Sequence, residues 1–169
     1  ADLPEGASVV ASGPLAGRTL TEVTSEFGEE LVGPGPGGRF PLLVKVIDAA
    51  DDLSVQVHPG PGNAAQFEGA ASKDEAWIIA ATDPGARILH GFVDGVTKDL
   101  FRQGVAEGRA HELLRSVEMA PGDVVRVEPG TFHAIGRGTL LIEVQEPSDT
   151  TFRVWDFGRL GLDGKPRDL

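Results

Sequence analysis

The sequence contains no cysteine among its 169 residues. Disulfides are therefore excluded, and any bound metal must be held through nitrogen and oxygen. No apolar run approaches the roughly 18 residues that a membrane-spanning helix needs. No N-terminal stretch combines positive charge, an apolar run and a cleavage site, so secretion finds no support and the cytoplasm is the expected location. Basic residues are in the minority, 15 against 26 acidic, for a net charge of −11. That balance argues against nucleic acid as a partner, because phosphate backbones demand a basic surface. An anionic small substrate would need a cationic pocket set into an acidic body.

What the chain does have is glycine and proline, 23 and 12 residues, with a hydrophobic fraction of 40%. Such a chain can bury one core, and its turn residues suit short strands more than long helices. Residues 1–39 read as a loop-rich N-terminal extension. Within it Thr19 to Phe27 predicts one short helix capped by Thr19 or Thr21, and Gly33 to Gly38 a loop. From Phe40 the pattern changes to strands at Leu42–Ile47, Leu53–His58, Glu75–Ala80 and Ala86–Gly91. A helix from Thr97 to about Gln103 and a second from Arg109 to Ser116 form a helical insertion over about 97–116. Strands resume at Val117–Met119, Val124–Val127, Leu140–Gln145 and Thr151–Asp156. The expected architecture is mainly all-β, one domain over 40–169 built as a jelly-roll or barrel with that short insertion.

Three segments carry the polar chemistry. In Ser54-Val55-Gln56-Val57-His58-Pro59, strand alternation puts Ser54, Gln56 and His58 on one face and the valines on the other. Gln56 and His58 lie about 7 Å apart along the backbone, close enough to reach one ion. A polar edge strand would read the same way. Glu75 follows Lys73-Asp74 and starts the apolar strand Ala76 to Ala80, where a carboxylate needs a partner or a metal. His133 emerges from the turn Glu128-Pro129-Gly130-Thr131-Phe132 onto the next strand. Two imidazoles, one carboxylate and one amide oxygen suit Zn²⁺, with Mn²⁺, Co²⁺ or Fe²⁺ as alternatives. His90 reads as a packed or edge histidine, His111 as a solvated one, and Trp77 and Trp155 as core.

Gly122, Gly130 and His133 resemble the second motif of the cupins, with Pro129 shifted by one and Arg137 in place of the usual Asn. Gln56-x-His58 followed much later by an acid departs from the first cupin motif and resembles type I mannose-6-phosphate isomerases. The resemblance runs from Phe40–Lys45 through Leu53–Pro59, Lys73–Glu75, Pro129–Gly136 and Glu143–Arg159 to Gly164–Leu169, about three quarters of the chain. Before Phe40 the chain lacks the Trp-Gly-rich opening of that family, whose members mostly continue into a second β domain.

The resemblance implies a cupin-type jelly-roll β-barrel and one Zn²⁺ per chain, held by Gln56, His58, Glu75 and His133. It implies interconversion of mannose 6-phosphate and fructose 6-phosphate through an enediolate. Arg153 matches the family's catalytic arginine. Glu143 or Asp149 is the expected base or proton relay, with Lys73 a further candidate. Arg159, Ser54 and Lys73 are the expected phosphate ligands. The expected partner is a small sugar phosphate, with neither nucleic acid nor membrane; the oligomeric state is left open. The alternatives are a non-catalytic metal- or sugar-binding cupin or regulatory fragment, another cupin enzyme such as a dioxygenase, and an isomerase for a different sugar phosphate.

Overall fold

The structure is a computed structural model that describes Asp2 and residues 6–35, 38–160 and 164–165. Residues 36–37 of the glycine-proline loop and 166–169 of the final matching segment lie outside the described residues.

Among the described residues, nine strands form two antiparallel sheets. They are β1 (Leu43–Asp48), β2 (Val55–Val57), β3 (Glu75–Thr82), β4 (Arg87–Phe92), β5 (Leu114–Glu118), β6 (Val124–Val127), β7 (His133–Ile135), β8 (Thr139–Gln145) and β9 (Phe152–Trp155). One sheet has the order β1-β8-β3-β6, the other β5-β4-β7-β2-β9. Two sheets interleaved in this way, with neighbours drawn from distant parts of the chain, make a jelly-roll barrel.

Alternation explains what fills it. In β8 every second residue is buried, Thr139, Leu141, Glu143 and Gln145, as a strand with one face inward requires. Pairing carries this parity across the sheet: Ile79 lies beside Leu141, Trp77 beside Glu143, and Glu75 beside Gln145. The inward rows therefore change from aliphatic to polar along the barrel axis. Ile79, Ile88, Ile135 and Leu141 close one end with Trp77 above them. Beyond Trp77 the interior becomes largely polar, with Leu43 and Val127 as aliphatic neighbours of Gln145 and Glu75.

The outer face of the five-stranded sheet carries a second core of Val55, Leu114 and Ala134 with Phe92, Phe101 and Phe132 around it. This core is covered by α3 (Lys98–Ala106), which the Thr97 hydroxyl caps by accepting from Leu100 N. The helix expected over Arg109–Ser116 is instead a single 3₁₀ turn, Ala110–Leu113, leading into β5. Leu114 is buried against the second core and Val117 packs on the first, so opposite-facing contacts hold this stretch extended.

At the N-terminus α1 (Leu20–Phe27) begins at Thr19 with a capping box, in which Thr19 and Glu22 satisfy each other's backbone N–H groups. The short α2 (Glu29–Val32) follows, unanticipated from the sequence. The buried Asp2 carboxylate accepts from Phe40 N at 2.8 Å and from the Thr21 hydroxyl, tying the extension to the start of the barrel.

Candidate metal centre

The polar end of the barrel is assembled from both sheets. Gln56 on β2 lies directly across from His133 on β7, and Arg153 on β9 lies across from Gln56. On the other side His90 on β4 pairs with His133. Antiparallel partners share a face, so His90, His133, Gln56 and Arg153 form one inward-facing row. His58 follows β2 at the next inward position. From the opposite sheet Glu75 enters as the first residue of β3.

His58, Glu75 and His133 are all buried, and one ligand atom from each lies within 4.8 Å of the others. His133 Nε2 is 3.3 Å from Glu75 Oε1, and His58 Nε2 is 3.5 Å from Glu75 Oε2. The rings are oriented by the backbone. His58 Nδ1 donates to Thr150 O at 2.9 Å and His133 Nδ1 to Thr131 O at 2.8 Å. A carbonyl can only accept, so each Nδ1 carries the hydrogen and each Nε2 lone pair faces the carboxylate. Anchoring one ring nitrogen on a carbonyl to present the other is the habit of metal-ligating histidine.

Burial alone would push the Glu75 carboxyl up, but its contacts with His58 and the Lys73 ammonium outweigh this and bring it to about 2. Burial holds His133 down at about 4, although Glu75 and the Thr131 carbonyl draw it upward. The pair is thus a carboxylate beside a neutral imidazole at neutral pH. Lys73 Nζ lies 2.9 Å from Glu75 Oε2 and donates to His58 Nε2 at 3.1 Å. Even so, both Glu75 oxygens and His133 Nε2 are buried without an aligned hydrogen bond among the described residues. Lys73 supplies one cation to this cluster, and the converging buried acceptors left without an aligned donor suit a second. Two imidazole nitrogens and a carboxylate, whose ligand atoms lie within 4.8 Å of one another, fit a borderline divalent ion such as Zn²⁺.

The remaining expected residues fall in distinct surroundings. Glu143 is buried and inward-facing one row below Glu75. Asp149 is exposed, in the loop between β8 and β9. Ser54 is buried just before β2. Arg153 is exposed at the end of the inward row. Arg159 is half-buried, its Nε 3.1 Å from Asp156 Oδ1, and its guanidinium lies 5.8 Å from the Phe157 ring centroid. His90, half-buried on β4, donates through Nε2 to Arg126 O at 3.1 Å. His111 is half-buried with its ring 5.5 Å from that of Phe157, not solvated.

Lys45 is a residue that sequence reasoning passed over. Its Nζ lies 3.0 Å from Glu143 Oε1 and 2.6 Å from Gln145 Oε1, inside the mouth of the barrel. Gln145 is in turn fixed by donating to Ser148 O at 2.7 Å. The signal available was its parity: Lys45 shares a face with Leu43 and Ile47, while Val44 and Val46 lie on the exposed one.

Residues 2–97 match the family described as phosphomannose isomerase type I, catalytic domain. The chain is 42% identical over 166 residues to a mannose-6-phosphate isomerase of Streptococcus mutans, covering 98% of this chain and 52% of that protein. The crystal structure of a mannose 6-phosphate isomerase from Bacillus subtilis superposes with a TM-score of 0.88 at 40% identity, over 98% of this chain and 52% of that one. A zinc-bound holo mannose 6-phosphate isomerase shares the fold, with a TM-score of 0.64 at 17% identity over 89% of this chain and 59% of that one. The chain spans about half the length of the curated relatives it matches.

Proposed function

The chain belongs to the type I phosphomannose isomerase catalytic-domain family, and from that membership we propose that it interconverts mannose 6-phosphate and fructose 6-phosphate with the help of one divalent ion, Zn²⁺ by donor chemistry. The observation that carries this reading is the convergence of two backbone-anchored Nε2 lone pairs on a buried carboxylate, with Gln56 and Arg153 paired on the strands beside them.

Gln56, His58, Glu75 and His133 would hold the ion. When bound it supplies Lewis acidity toward the substrate's oxygens at C1 and C2. The chain itself supplies the proton chemistry. Moving hydrogen between C1 and C2 through an enediolate requires a base beside those carbons. Glu143 fits this role better than Asp149, because it faces the interior and its Oε1 is held by Lys45, leaving Oε2 to take and return the proton. Arg153 stands across from Gln56, where its guanidinium stabilises negative charge developing on the substrate oxygens. Lys73 is nearly fully buried and engaged with Glu75 and His58, so its role is to neutralise and position these two. Phosphate binding then falls to Arg159 with Ser54; Arg159 is oriented by Asp156 and remains partly accessible.

A coupled assay on mannose 6-phosphate tests this. The protein as isolated, treated with EDTA and reloaded with Zn²⁺ should be active, inactive and active again. Absence of turnover by folded, metal-loaded protein would overturn the reading.

A further inference from the structure

The outer face of the five-stranded sheet holds a cavity back to back with the metal centre. Along β7, His133 and Ile135 point inward while Ala134 and then Gly136 point outward. An inner lobe of about 190 Å³ lies between Leu89, Ala134 and Phe157, bordered by Ser116 and His111. An outer lobe of about 410 Å³ opens among Asp83, Arg87, Arg137 and Gly138. Asp52, Arg87 and Gly136 border both, so the lobes adjoin. At the junction a side chain is excluded: a Cβ on Gly136 would stand 2.0 Å from the Arg87 carbonyl oxygen. Asp83 directly follows β3, whose eight residues from Glu75 span about 25 Å, so the outer lobe lies at the far end of the barrel from the metal ligands.

Four observations give the ligand its chemistry. The inner lobe is walled by aliphatic and aromatic carbon and has room for a branched alkyl or phenyl group. Its wall residue Phe157 has a left-handed backbone, φ 53, which a bulky residue adopts only where the fold fixes it. The His111 Nδ1 at its border is buried with no hydrogen-bond partner among the described residues. At the mouth, the exposed Arg137 donates through its backbone N to Asp52 Oδ1 at 2.8 Å, and its guanidinium meets no acceptor among the described residues. Arg87 stands beside it, with Nε on Ser116 Oγ and NH1 3.7 Å from Glu118. The mouth of this apolar recess thus carries two guanidinium groups together with the carboxylates of Asp52 and Asp83, a mixed set that offers anion contacts to a carboxylate with an apolar body.

We propose that this two-lobed cavity is a second ligand site, which takes a small carboxylate with an apolar body, the carboxylate on Arg137 and Arg87 and the body against Leu89, Ala134 and Phe157. A free carboxylic acid and an α-amino acid share this chemistry and differ at Asp83, whose carboxylate at the outer rim would pair with an ammonium group.

Calorimetric titration with 3-phenylpropionate, L-phenylalanine and inorganic phosphate tests the site on the EDTA-treated and the Zn²⁺-loaded protein. Saturable binding of 3-phenylpropionate or phenylalanine is expected in both forms, weakened at least tenfold by Arg137→Ala and by Ser116→Phe, which fills the inner lobe. Tighter binding of phenylalanine assigns an amino acid; tighter binding of 3-phenylpropionate assigns a plain carboxylate. Arg137 is exposed, so its variant should keep the wild-type circular dichroism even if Ser116→Phe does not fold. Failure of both organic probes to saturate at about 10 mM, a Kd too weak to matter, overturns the proposal. So does binding that Arg137→Ala leaves unchanged, or binding of phosphate alone.

Discussion

Glu75 is the group on which both imidazoles and Lys73 converge, and its replacement by the isosteric amide separates charge from shape. Glu75→Gln leaves the packing in place but removes the anion, so the buried Lys73 ammonium loses its partner at 2.9 Å. Partners that merely orient metal ligands are worth about 10- to 100-fold in affinity, and loss of a ligand itself should exceed that. Zn²⁺ affinity, measured by competition with a chromogenic chelator, is expected to fall more than about 100-fold. Lys45 poses a different question, because it touches Glu143 and Gln145 and none of the metal ligands. Lys45→Met should lower kcat at least tenfold while metal content stays at one per chain. Its side chain is 38% exposed but that of Glu143 only 4%, so the variant leaves a buried carboxylate without its partner and should cost about 3 kcal/mol in urea unfolding. A variant that lost metal together with activity would place Lys45 in support of the metal centre instead of beside the reacting carbons.

The strands differ in how openly they declare their faces. β8 alternates cleanly, so Leu141, Glu143 and Gln145 share one buried face, as a spacing of two requires. β1 misleads: Val44 and Val46 point outward and are exposed, while Lys45 points in. Hydrophobic alternation assumes an apolar interior, and half of this interior is polar. The same cause hid Lys45, and it left Gln56, His58 and His133 identifiable only as a set and through family resemblance. Helix α1 was clear because its capping box is local chemistry. The stretch after Arg109 was not, because Leu114 and Val117 are drawn into two different cores and tertiary packing overrides helical spacing. The aliphatic end of the barrel is separable from the chemistry above Trp77. Leu141→Ala, at a fully buried position, should cost about 2–5 kcal/mol in denaturant unfolding and leave one metal bound per folded chain. Loss of metal from the folded variant would mean that the two ends of the barrel are not independent.

The stability of the whole molecule is linked to its metal centre through pH. His133 falls from an ordinary value of 6.5 to about 4 in the folded chain. Above 6.5 the ring is neutral whether folded or unfolded, and the folded state keeps its full advantage. Between 6.5 and 4 the unfolded chain takes up a proton that the folded chain refuses, so stability falls as pH falls. Below about 4 both forms are protonated there and this contribution levels off, after a loss of about 3 kcal/mol. Glu75, lowered from 4.5 to about 2, acts in the same direction over the lower window: its stabilisation is present above 4.5 and is lost on the way to 2. The EDTA-treated protein should therefore lose stability from pH 6.5 downward, in two overlapping stages, with no matching loss on the alkaline side from these groups. Metal binds only the deprotonated ligands. At pH 7, free Zn²⁺ at 100 times its Kd adds about 2.7 kcal/mol, and this increment should shrink with acidification as protons compete for the same Nε2 and carboxylate atoms. Thermal melts of chelated and Zn²⁺-loaded protein from pH 8 to pH 4 measure both effects at once. Curves that converge toward the acid end are expected. A constant offset between them across the range would mean that the stabilising ion sits on groups other than His58, Glu75 and His133.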